Sequence, residues 1–122
     1  MTGDRQSEVG YRRLVAWQKG DELAYQVYAA TREYPGDEVY ALTSQLRRAA
    51  LSVPTNIAEG YGRKSRKELG QFLRIAPGSL SEVECLLDFS RRLGYLTPSA
   101  ARQLQDLRTE TGKLLWRFHE SI

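Results

Sequence analysis

The sequence predicts an all-α protein, an antiparallel up-down-up-down four-helix bundle, on three observations. Apolar residues recur at steps of three and four along four successive stretches. No stretch shows the strict alternation of a half-buried strand. The stretches are joined by short turns carrying glycine or proline, which sets consecutive helices antiparallel. A chain of 122 residues, 41% hydrophobic and 27% charged, has room for one core of this kind.

The first helix is expected from about Leu14 to Arg32. Leu23, Val27, Ala30 and Tyr34 form one stripe, and Trp17, Asp21, Ala24, Tyr28 and Thr31 form a second beside it. Two adjoining stripes suit a helix that touches two neighbours. Tyr34-Pro35-Gly36-Asp37 ends it, with Asp37 available to cap the next helix. The second helix, from about Glu38 to Gly60, carries the seam Val39, Leu42, Leu46, Ala49, Val53 and Ile57. Pro54 falls inside that seam. Because the spacing continues past it, a kink is expected rather than an end, and Gly60 and Gly62 are read as the stop.

Ser65 opens the third helix, with Glu68 three residues on in the capping-box arrangement. Its seam runs Leu69, Leu73, Ala76, Leu80, Val83, Leu87, Ser90. Pro77-Gly78 interrupts it, and the unbroken phase favours one helix kinked at Pro77 over a break and restart at Ser79. After Gly94, Thr97-Pro98 supplies an N-cap and a proline at the first helical position. The last helix presents Leu104, Leu107, Thr111, Leu114, Leu115, Phe118 and Ile122 on one side. The domain reading is a flexible polar tail over residues 1–10 and the bundle over residues 11–122.

Composition excludes several classes. No run approaches the roughly 20 apolar residues of a membrane span, and the first ten residues lack the apolar centre of a signal peptide. A lone cysteine, Cys85, precludes an internal disulfide and fits a cytoplasmic location. It falls in the apolar part of the third helix, where a buried thiol is expected. One histidine, His119, and one cysteine cannot build a zinc site, and the Glu-x-x-His pairs of di-iron bundles are missing. His119 is read as a surface residue near the C-terminus. With no catalytic constellation, metal set or cofactor cradle, the chain is expected not to be an enzyme and to need no cofactor.

Charge is uneven. Residues 1–44 carry five Lys/Arg against seven Asp/Glu, and residues 76–122 carry six of each. Residues 45–75 carry seven Lys/Arg against only Glu59 and Glu68, so this block supplies the whole net charge of +3. Arg47, Arg63, Lys64, Arg66, Lys67 and Arg74 are therefore the candidate nucleic-acid contacts, centred on the junction of helices two and three. Tyr61 is the one candidate for stacking there, but as a lone aromatic beside a helix end it is expected to pack. A second feature is the polar stripe Gln45, Arg48, Ser52, Asn56 and Glu59 beside the apolar seam of helix two. Such a stripe either faces water or forms a hydrogen-bonded network at a subunit interface, where it would fix register.

Gln45-Leu46-Arg47-Arg48-Ala49, then Ser52-x-Pro54-x-Asn56-Ile57-Ala58-Glu59-Gly60, then Phe72-Leu73-x-Ile75-Ala76-x-Gly78-Ser79-Leu80-x-Glu82 resemble the bacterial four-helix-bundle proteins encoded in intervening sequences of 23S ribosomal RNA genes. Trp17-Gln18-Lys19, Val27-Tyr28 and Gly94-Tyr95-Leu96 fit the same pattern, so the resemblance spans about residues 11–120. That family is similar in turn to the accessory variability proteins of diversity-generating retroelements. The resemblance implies a ring-like homopentamer, and its retroelement relatives engage nucleic acid and a reverse transcriptase. Pro54 belongs to the family pattern; Pro77, where such proteins carry a polar or basic residue, departs from it. The expected function is a non-enzymatic, self-associating bundle that binds structured RNA or another nucleic acid through the basic segment. The alternative is a protein–protein accessory module, such as a reverse transcriptase partner.

Overall fold

The structure, a computed structural model, describes residues 10–122. The helices are α1 (Val15–Thr31), α2 (Leu42–Tyr61), α3 (Arg66–Leu73), α4 (Ala76–Arg92) and α5 (Pro98–Glu120). α3 and α4 follow one another as the third rod of a four-helix bundle. α1 packs on α2 and α5, and α4 packs on the same two, so the four rods form a closed square. Among the described residues, no helix is long and apolar enough to cross a membrane. Most of the expected tail, residues 1–9, lies outside the described residues. Gly10, its last member, instead opens a 3-10 turn, Gly10–Arg13, that packs on α1 and α2. There Tyr11 meets Trp17 edge-on at 5.0 Å.

The seams hold where the period is strict. Leu46, Val53, Ile57, Leu73, Val83 and Leu87 are fully enclosed, with Leu23 and Val27 of α1. At about 1.5–3 kcal/mol for each large apolar side chain, this seam is the main source of stability. Thr31, Ser90 and Thr111 are buried among them, each donating to the carbonyl four residues back at 2.8 Å. Their hydroxyls therefore enter the core without an unmet hydrogen bond.

α2 starts at Leu42, four residues after the expected start at Glu38. Gly36–Glu38 form a 3-10 turn, which rotates Val39 outward to 48% exposure and leaves Tyr40 in solvent. Glu38, not Asp37, meets the helix start: its Oε1 accepts from Leu42 N at 3.4 Å, and its Oε2 from the Tyr95 hydroxyl at 2.9 Å. α2 then runs unbroken through Pro54. Gly20 of α1 faces that point, where a Cβ would lie 3.1 Å from Val53 Cγ1 and 3.7 Å from Pro54 Cδ. Its missing side chain makes room for Val53, with the proline ring at ordinary contact distance. Gly60 does not stop the helix, which continues to Tyr61.

The third rod breaks rather than kinks. Leu73 ends α3 and Ala76 begins α4, with Ile75 N bonded to Phe72 O and Gly78 N to Ile75 O, both at 3.1 Å. Pro77 has no N–H for the Leu73 carbonyl, so the ladder lapses there and restarts with Pro77 in the first turn of α4. Ser79 does not cap a restarted helix: its Oγ donates to Ser52 Oγ at 2.9 Å. α4 ends on Gly94 at φ 82°, with Tyr95 N reaching Ser90 O and Gly94 N reaching Arg91 O, both at 2.9 Å. That is a Schellman closure, and it turns the chain into α5. Thr97 Oγ1 caps α5 by accepting from Ala100 N at 3.0 Å. Cys85 is exposed, against expectation, because it lies two residues past Val83 and faces away from the seam.

Candidate functional site

Ser65 fixes where α3 begins, its Oγ accepting from Glu68 N at 3.1 Å. That places Arg66 and Lys67 in the first turn, with Gly70 and Arg74 following Arg66 at steps of four on one face. The C-terminal end of α5 lies against this face. A Cβ on Gly70 would stand 3.8 Å from both Arg74 Nη1 and His119 Nε2, so glycine leaves the gap into which both side chains reach. Arg66, Lys67 and Arg74 thus line a shallow groove with His119 and Ile122. Lys64, Arg66, Lys67 and Arg74 are exposed, and among the described residues none has a carboxylate within ion-pair distance.

The other two candidate cations are differently placed. Arg63 is held by Glu59 at 3.1 Å, with its guanidinium 4.9 Å from the Phe72 ring centre, so it borders the face while partly committed. Arg47 does not belong to it. Its Nε donates to Thr31 Oγ1 at 2.7 Å, its Nη2 to Tyr28 O at 3.3 Å, and its guanidinium lies 4.6 Å from the Tyr28 ring centre. It closes the C-terminal end of α1, about 21 Å along α2 from Tyr61 at the α-helical rise. Tyr61 is half-buried and accepts from Arg13 Nη2 at 3.2 Å. Packing is its role in this structure.

The polar stripe of α2 is divided. Gln45 Nε2 reaches Glu82 Oε2 at 3.3 Å, and Asn56 Nδ2 donates to Ser52 O at 2.8 Å and Ser52 Oγ at 3.0 Å. The Gln45–Glu82 and Ser79–Ser52 bonds stitch α2 to α4 within the chain, while Asn56 braces Ser52 from within α2. Glu59 is taken by Arg63. Arg48 alone is exposed with no ion-pair partner among the described residues.

Two residues escape a reading of the sequence: His119, half-buried beside the α3 cluster, and Trp116, 65% exposed one turn before it. Nothing in the local sequence pairs either with residues some 45 positions earlier. Only the packing of α5 on α3 does.

A family model described as 23S rRNA-intervening sequence protein matches residues 12–117. A solved structure, of a protein of unknown function from the S23 ribosomal protein family of Bacteroides thetaiotaomicron VPI-5482, is similar at a TM-score of 0.76 and 25% sequence identity. That match covers 86% of this chain and 98% of the other. No curated protein matches the chain.

Proposed function

The chain belongs to the 23S rRNA-intervening sequence protein family, and we propose that it is a non-enzymatic, self-associating bundle that binds nucleic acid, foremost structured RNA. The contact surface in this reading is the basic groove of Arg66, Lys67 and Arg74, with Lys64 just before α3. The observation that carries it is that these four exposed cations lack carboxylate partners among the described residues. Unpaired cations gathered on one face bind phosphates by releasing counterions, with little preference for sequence. Amides at the start of α3 add to the attraction for phosphate. Self-association would repeat the face, and a ring of five would make a weak patch multivalent. Arg48, unpaired beside the Ser52–Asn56 network, is the stripe residue best suited to a neighbouring copy.

The test is a salt-dependent gel shift with RNA and DNA on the full chain. Reversal of Lys64, Arg66, Lys67 and Arg74 to Glu is expected to abolish the shift, and undiminished affinity would refute the assignment. Light scattering examines assembly separately; a monomer at micromolar concentration removes the oligomer from the proposal. A second reading, a protein–protein accessory module such as a reverse transcriptase partner, draws on Val39 and Tyr40. These two apolar neighbours stand exposed at the opposite end of the bundle.

A further inference from the structure

Trp116 is 65% exposed, the most exposed large hydrophobic residue on α5. It projects beside Gly112, four residues back, and the groove between α4 and α5 that it borders also contains His119. His119 in turn lines the groove of Arg66, Lys67 and Arg74. His119 borders both grooves, so the aromatic ring and the row of cations lie on either side of one side chain.

The surroundings of the ring are cationic as well. Lys113 and Arg117 flank it on α5, exposed and without ion-pair partners among the described residues. Glu84 of α4, which lines the same groove, is answered by Arg108 Nη2 at 3.8 Å. A solvated indole face set among unpaired cations is the arrangement that stacks a nucleobase while neighbouring charges hold the backbone. A duplex keeps its bases within the stack, so only an unpaired segment offers one to the ring.

We propose that Trp116 is a base-stacking platform, and that the groove from Trp116 past His119 to Arg74, Arg66 and Lys67 carries a single-stranded segment of nucleic acid. This inference rests on the nucleic-acid reading above and narrows it from a phosphate-binding face to a track for unpaired bases.

The test uses the full chain, an unstructured oligouridylate and an RNA duplex of equal length, read by tryptophan fluorescence and by competition binding. The single strand is expected to bind more tightly than the duplex and to quench the emission of Trp116. Trp116→Leu should remove that quenching and weaken single-strand binding by roughly 5- to 150-fold, the usual range for losing one stacked base. Trp116→Phe should restore most of the affinity. Unchanged affinity in Trp116→Leu, with loss on reversing the α3 cations, overturns the stacking platform and leaves the phosphate-binding face standing. Loss of self-association in Trp116→Leu with RNA binding intact assigns the ring to a contact between copies and likewise overturns the inference. No binding by wild type to either RNA rejects both readings.

Discussion

Gly60 of α2 lies so close to Phe72 of α3 that a Cβ built on the glycine would stand 2.8 Å from the Phe72 Cβ. It would also stand 3.1 Å from Leu69 Cδ1 and 3.4 Å from the Leu69 carbonyl oxygen. Atoms that near the backbone cannot swing away, so α3 would have to move. The short helix bearing the basic face is seated through this contact.

Gly60→Ala is therefore expected to destabilise the protein by about 1–3 kcal/mol through overpacking, although alanine in a helix interior is otherwise worth about 1 kcal/mol over glycine. Gly78→Ala is the control. It lies in the first turn of α4, and no atom stands within 4 Å of its added methyl. It should stabilise by about 0.5–1 kcal/mol. Urea denaturation of the two variants decides the matter, and equal shifts in one direction would contradict the close approach.

How much of this was legible follows from what period alone can fix. Leu46, Ala49, Val53 and Ile57 are all buried, as a strict three-four seam requires, because helical geometry leaves them nowhere else to face. Val39 obeys the same spacing yet is exposed, because turn geometry over Gly36–Glu38 breaks the phase before the helix starts. Gly60 reads in the sequence as a terminator, and only the position of Phe72 shows it to be a close contact. The candidate site divides likewise. Sequence clusters Lys64, Arg66 and Lys67, whereas the convergence of His119 on Arg74 exists only once α5 is packed.

Arg47 and the α3 cations should separate experimentally. Arg47 is held by Thr31 and the Tyr28 carbonyl, so Arg47→Ala is expected to cost about 1–2 kcal/mol of stability by analogy with charged hydrogen bonds. It should leave nucleic-acid affinity unchanged. Arg66→Ala should do the reverse, weakening binding and flattening its salt dependence with little effect on the urea midpoint. A strong binding defect in Arg47→Ala, at unchanged stability, would return Arg47 to the contact surface.

Alkaline pH should loosen the bundle through two tyrosines. The hydrogen bond to Glu38 raises the pKa of Tyr95 above 10.0, with burial and the Glu38 and Asp37 charges adding to it. Burial raises that of Tyr34. A pKa higher in the folded than in the unfolded chain means that the folded state holds its proton longer. The resulting stability is complete below about pH 10 and is lost as pH climbs through the folded values. The urea midpoint should therefore fall above about pH 10. Tyr95→Phe removes one of the two groups and should flatten that fall. An alkaline slope identical to wild type would show that the Glu38 bond makes no contribution.

Pro77 offers the sharpest test of the third rod. Its ring nitrogen has no hydrogen for the Leu73 carbonyl, and the chain passes from α3 to α4 through three-residue hydrogen bonds at Ile75 and Gly78. In the first turn of α4, however, a missing N–H costs little, because amides there have no partner within the helix. Pro77→Ala should therefore change stability by no more than about 1 kcal/mol, far below the roughly 3 kcal/mol gained by removing a proline from a helix interior. The restored N–H should nevertheless let α3 and α4 merge, slowing amide hydrogen exchange around residues 75–78 and turning Arg66 and Arg74 relative to His119. A gain near 3 kcal/mol would mean that the break is a defect imposed on a naturally continuous helix. Near-neutral stability, with slowed exchange and altered nucleic-acid affinity, would mean that the break sets the orientation of the basic face.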